Sequence, residues 1–250
     1  GLRRYWLAEH HNAGGLASSA PEILIGAVAA ATARLRVGSG GIMLPNHSPL
    51  KVAEVFRVLS ALHPGRVDLG LGRAAGTDKR TALALRQAPE LLGDARYEED
   101  VDRLLALLSR DPDPTVPFND VKAAPIGVPA PPVWILGSGR QSAALAAARG
   151  LGFAFAHHFA PEEARDALAL YRDAFRPSAE LARPATILAA SVICGEDDAH
   201  AARLAASAEI AWLRFGQGLR DLPLPSVEEA LAATLDADEE SVRALHRARS

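Results

Sequence analysis

Five short clusters in this chain carry residue types that do chemistry: Glu9-His10-His11, Ser39-Gly40-Gly41, Gly72-Arg73, Gly137-Ser138-Gly139 and His157-His158. A histidine titrates near neutral pH and can serve as general base or acid. His10 and His11 are adjacent, so on a strand end they point to opposite sides and only one reaches a common site. Gly40 and Gly41 clear side chains from a place where a flat ligand could lie against backbone. The Arg73 guanidinium suits a phosphate or carboxylate. Gly137-Ser138-Gly139, followed by Ser142, would offer backbone amides and hydroxyls to an anion if it opens a helix. It is neither a Walker loop, since no Gly-Lys-Ser/Thr follows, nor a full dinucleotide fingerprint. Each cluster also has an ordinary structural counterpart: a packed histidine, a paired arginine, a glycine turn. The two histidine pairs with Glu9 raise a metal alternative. The spacing lacks His-x-His and His-Glu-x-x-His, so no metal is expected. His47, His63, His200 and His246 read as loop or helix-surface residues.

What must position these clusters is a set of strands, because each cluster follows a short apolar run. The runs are 3–8, 34–38, 66–71, 132–136, 152–156 and 185–193. They lack strict alternation, as strands covered on both faces do. Helical periodicity fills the gaps at 21–33, 49–62, 78–92, 97–109, 140–150, 161–175, 197–214, 226–235 and 238–248. Pro21 after Ser18-Ser19 marks a capped helix start, and His63-Pro64-Gly65 a helix stop. Strand and helix in alternation imply a parallel sheet with helical crossovers. The C-terminal strand ends of such folds carry the active site, and five strands feeding one face favour a barrel over an open sheet. The Pro- and Gly-rich stretch 110–131 reads as an inserted loop or hairpin within a single barrel domain, 1–250.

Composition excludes several classes. With 49% hydrophobic and 23% charged residues, the chain is neither disordered nor a coiled coil. A net charge of −3 gives no electrostatic case for nucleic acid or an anionic membrane. One cysteine, Cys194, excludes an internal disulfide. No apolar run approaches the roughly 20 residues of a membrane span, and a cytoplasmic setting is expected.

The clusters resemble a known family. Tyr5-Trp6-Leu7-Ala8-Glu9-His10-His11-Asn12, Val37 to His47, Leu62 to Arg73 and Trp134-Ile135-Leu136-Gly137-Ser138 are similar to signatures of the bacterial luciferase-like flavin monooxygenases, single-gene bacterial subgroup. The resemblance implies an α/β fold, the (β/α)8 TIM barrel of the bacterial luciferase type. Its first strand would precede residue 1 and its eighth would follow 226–248, so the chain reads as the middle of a longer protein with two exposed sheet edges. The resemblance also implies reduced FMN as cofactor, supplied by a separate flavin reductase. Dioxygen would form a flavin 4a-hydroperoxide that oxygenates a small organic substrate. His10 is implied as the catalytic base. Gly40 and Gly41 are implied as a non-proline cis peptide under the flavin ring, and Arg73, Gly137, Ser138, Gly139 and Ser142 as the phosphate site. Gly139 stands where the family often has a second serine. The stretch 110–131 and the loop 74–79 are candidates to cover the site.

Two other readings share the fold: hydride transfer with deazaflavin F420, and a flavin-binding protein without catalysis. The apolar residues Ile23, Leu24 and Val28 on one helix, and Val52, Val55, Phe56 and Leu59 on the next, are expected to pack on the barrel, and the family resemblance implies that these helices pair two chains as a homodimer.

Overall fold

The computed structural model describes residues 2–86, 94–109, 120–219 and 222–249. Its strands are β1 (Arg4–Leu7), β2 (Arg36–Ser39), β3 (Ile42–Met43), β4 (Val67–Gly72), β5 (Val133–Gly137), β6 (Gly152–Ala156) and β7 (Thr186–Ala189). Helices α1 (Pro21–Ala30), α2 (Pro49–Leu62), α3 (Lys79–Arg86), α4 (Asp94–Leu108), α5 (Arg140–Ala148) and α6 (Ala164–Ala174) alternate with them. Helices α7 (Asp198–Gly216), α8 (Val227–Ala232) and α9 (Ala237–Arg249) follow. The strands run β1-β2-β4-β5-β6-β7, with β3 paired to β4, and every pairing is parallel. All strand C-termini therefore lie on one rim. This is the wall of a (β/α) barrel, in which β1 and β7 each pair on one side only among the described residues.

The period of two explains the two faces. Val37, Val67, Leu69, Leu71, Ile135, Phe153 and Phe155 point outward and pack on Ile25, Val52, Phe56, Leu104, Ala146 and Tyr171 of the helices. The other face carries Trp6, Asp68 and Trp134: the Trp6 and Trp134 rings meet edge-on at 5.7 Å, and Trp6 Nε1 donates to Asp68 Oδ2 at 3.1 Å. The buried Asp68 carboxylate also accepts from Arg4 and Arg36. β4 is buried along its whole length, as a central strand covered on both faces must be, whereas the singly paired β1 and β7 are half-exposed.

All six expected strands form, and β3 is added after the glycine pair. Several details differ from expectation. Helix α1 starts at Pro21 without a side-chain cap, because its N-cap residue is Ala20, and the Ser18 hydroxyl donates to Ala8 O at 2.5 Å. The expected helix 78–92 is seen to Arg86; its remainder, and residues 110–119 of the expected insertion, lie outside the described residues. Residues 120–131 form no strand and contain a cis Ala124–Pro125 bond. Val52, Phe56 and Leu59 are core residues, while Ile23 and Leu62 are 70% and 67% exposed. α7 and α8 bury a small cluster of their own, Ala206, Ile210, Leu213 and Ala230. No helix among the described residues is long and apolar enough to cross a membrane.

Candidate functional site

Because the strands are parallel, the segments that leave β1, β2, β4, β5 and β6 meet on the same rim, in that order. Glu9-His10-His11 follows β1, Gly40-Gly41 follows β2, Arg73 follows β4, Gly137-Ser138-Gly139 joins β5 to α5, and His157-His158 follows β6. The five clusters thus share one face.

The first of these segments is organised by a carboxylate. Glu9 is 0% exposed. Its Oε1 accepts from His11 Nε2 at 2.8 Å, His47 Nε2 at 2.9 Å and Asn46 Nδ2 at 3.1 Å, and its Oε2 accepts from the Met43 amide at 2.9 Å. Burial by itself raises the Glu9 pKa, but the His47 hydrogen bond and charge, with the Met43 and His11 bonds, bring it below the usual carboxylate value. His10 turns away from this cluster. Its Nδ1 lies 3.3 Å from Gly76 O. A carbonyl only accepts, so Nδ1 carries the hydrogen and Nε2 keeps its lone pair for a proton.

The glycines of β2 and β4 are there for contact. The Gly40–Gly41 peptide is cis. A Cβ on Gly41 would sit 2.9 Å from Gly70 O and 3.0 Å from Gly72 N, so neither strand end tolerates a side chain there. Ser39, fully buried, locks the two strands: its hydroxyl donates to Gly70 O at 2.8 Å and accepts from Gly70 N at 3.0 Å.

Arg73 lines a small hollow with Tyr97, Glu98, Gln141, Ser142 and Leu145, and hydrogen-bonds to Gln141 Oε1. Gly139 is the N-cap of α5, in extended conformation and without a side-chain bond; a Cβ there would meet nothing within 4 Å. A Cβ on Gly137 would collide with Ser142 Oγ, so that glycine lets the serine close on the strand end. Tyr97 is 3% exposed, and its hydroxyl is buried without a hydrogen-bond partner. Burial pushes its phenol pKa up, keeping it a neutral donor.

On the far side, His158 Nδ1 lies 3.0 Å from Ala189 O. The Phe159 ring meets Trp212 of α7 edge-on at 5.5 Å.

Sequence reasoning missed three participants. His47 reads from the sequence as a loop or helix-surface residue; it does lie in a loop, but its ring reaches the buried Glu9. Asn46 bridges Glu9 and Ala75 O, the latter at 2.9 Å. Tyr97 sits in the first turn of α4 with no local motif, and only its burial beside Arg73 reveals it. For His47 and Asn46 a signal existed: both closely follow the Gly40-Gly41 pair on the same strand exit.

The family model for luciferase-like monooxygenases matches residues 1–249. The chain is 44% identical over 260 residues to a luciferase-like monooxygenase of Escherichia coli (strain K12), covering 97% of this chain and 76% of that protein. The crystal structure of apo-MsnO8 superposes with a TM-score of 0.83 at 41% identity, over 93% of this chain and 68% of MsnO8. The oxygenating constituent of 3,6-diketocamphane monooxygenase from Pseudomonas putida, solved in complex with FMN, superposes with a TM-score of 0.64 at 20% identity, over 94% and 72% of the two chains, a likeness of fold.

Proposed function

This chain belongs to the luciferase-like monooxygenase family, and on that premise we propose that it binds reduced FMN and uses dioxygen to oxygenate a small organic substrate. A separate flavin reductase supplies the reduced cofactor, and the protein works as a homodimer. When bound, reduced flavin supplies the electrons that activate dioxygen; the protein contributes binding, orientation and exclusion of water.

The observation that carries the reading is the unpartnered, buried Tyr97 hydroxyl beside Arg73 and Ser142. A donor left buried without a partner costs about 1–3 kcal/mol, a cost that an anion placed there removes. Arg73 supplies charge, Ser138 and Ser142 supply hydroxyls, and Gly137 and Gly139 leave the α5 amides open to a phosphate. Gly40 and Gly41 leave a side-chain-free shelf for a ring system. His10, with Nε2 as its open nitrogen, takes or gives the proton at the reacting end. The loop 74–79 borders this site from the β4 side.

The test is a titration of the purified protein with FMN, riboflavin and F420, followed by oxygen uptake with enzymatically reduced FMN. Binding in the order FMN, riboflavin, F420, with substrate-dependent oxygen uptake, is expected. Preference for F420, or uptake no faster than that of free reduced FMN, overturns the reading. Sedimentation equilibrium at micromolar concentration tests the dimer.

A further inference from the structure

We propose that Glu9 is a positioning residue: its buried carboxylate ties together three strand-end segments and so fixes the ring of His10. The inference rests on the reading of His10 as the proton-handling group.

The ties are explicit. Through His11 the carboxylate holds its own segment, and through Met43, Asn46 and His47 it holds the turn after β3. Asn46 passes the restraint on by donating to Ala75 O. The next residue, Gly76, presents the carbonyl that orients His10 Nδ1. Gly76 has a φ of +64°, and a Cβ there would lie 2.7 Å from Glu9 O, so the 75–77 segment is seated directly on the Glu9 main chain. Thr77 closes the loop from the other side, donating from its hydroxyl to His11 O at 2.9 Å. His10 itself makes none of the contacts to the carboxylate; it is held by the frame around it.

The chemistry of the hub is that of an anion. Glu9 accepts at both oxygens and donates nowhere, so His11 and His47 must each carry hydrogen on Nε2. Glutamine has nearly the same shape but offers one oxygen and one NH2 group. Turned one way, its NH2 faces the Met43 amide; turned the other, it faces the Asn46 NH2, and His11 and His47 keep a partner only by moving their hydrogen to Nδ1. The turn is also held from behind by Arg86, which donates to Pro45 O at 3.1 Å and to His47 O and pairs with Asp100 at 3.1 Å. Loss of the Glu9 charge therefore loosens the frame without removing its scaffold.

The experiment compares wild type, Glu9→Gln, His47→Gln, His47→Phe and His10→Ala. In Glu9→Gln, kcat is expected to fall about 10- to 100-fold, the scale of a displaced catalytic group, while the Kd for FMN changes less than about threefold because the phosphate hollow is untouched. His47→Gln keeps a donor at the Nε2 position and is expected to retain activity, whereas His47→Phe fills the same space without a donor and is expected to lose it. Proton NMR of the flavin-free protein supplies a readout separate from turnover: low-field imidazole N–H resonances present in wild type disappear in Glu9→Gln. Loss of those resonances with kcat unchanged overturns the positioning role, as does equal activity of His47→Gln and His47→Phe. A His10→Ala variant with wild-type turnover instead overturns the underlying reading of His10.

Discussion

The rim has two halves, and their polar groups are used differently. The half built on β1, β2 and β4 is a wired structure: Glu9, Ser39 and Asp68 are all buried, and each is met by donors from neighbouring strands or loops. The half built on β5 and β6 rests on the same apolar core that backs β2 and β4, with Ile135, Phe153 and Phe155 wholly buried as Val37, Leu69 and Leu71 are. Its N-cap glycine, Gly139, opens on space, and at its border with the first half the Tyr97 hydroxyl of α4 is buried without a partner among the described residues. On the proposed reading, the proton-handling end lies in the first half and the anion site at its border with the second, where Arg73 and Tyr97 meet Ser142.

The comparison can be broken most severely at His10. His10→Ala is expected to lower the oxygenation rate at least about 100-fold, the usual contribution of a general base, with FMN affinity nearly unchanged. Stopped-flow turnover and equilibrium binding measured together check it. A large loss of FMN affinity would mean that His10 itself helps to hold the flavin.

The next effect belongs to the border between the halves, where Arg73 after β4 and Tyr97 of α4 meet Ser142 of α5. Arg73→Ala is expected to weaken FMN binding about 10- to 100-fold, since a hydrogen bond to a charged group contributes about 1.5–3 kcal/mol. Riboflavin, which lacks the phosphate, is expected to bind both proteins equally. Tyr97→Phe is expected to show the same selectivity at about three- to tenfold, and to leave stability without flavin unchanged or improved, because an unsatisfied hydroxyl is removed.

Glycine substitutions compare the halves sterically. Gly70→Ala drives a Cβ into Ser39 O and is expected to lower stability by about 1–3 kcal/mol, as overpacking does. Gly139→Ser meets no neighbour, and a serine N-cap is worth a few tenths of a kcal/mol over glycine. A small rise in stability and a few-fold gain in FMN affinity are expected, read by denaturant unfolding and titration.

The mildest test is pH. Glu9 has a folded pKa below its ordinary value of 4.5. Its stabilisation is therefore complete above that value and is lost as pH falls through the lower, folded-state value. Unfolding midpoints of wild type measured from pH 7 downward are expected to decline more steeply below pH 4.5 than those of Glu9→Gln.

Much of this was legible in the chain. Short unalternating apolar runs between helical segments forecast the parallel sheet, since strands covered on both faces need no polar side. The five clusters were legible because parallel strands put all their C-terminal ends on one rim. The Asp68 and Glu9 networks were not: Asp68 sits inside an apolar strand run, and nothing local says that Arg4, Trp6 and Arg36 converge on it from two other strands. His47 reads only as a loop or helix-surface residue because its partner lies 38 positions away.

The sequence by itself determined the elements, their order and the side of the sheet on which the reactive residue types collect, because period, glycine placement and the parallel rule are local or topological. Only the tertiary structure decided which of those residues are already satisfied and which are not. That distinction depends on burial and on partners tens of residues apart. It separates Glu9, a buried anion with both oxygens hydrogen-bonded, from Tyr97, an equally buried hydroxyl with no partner.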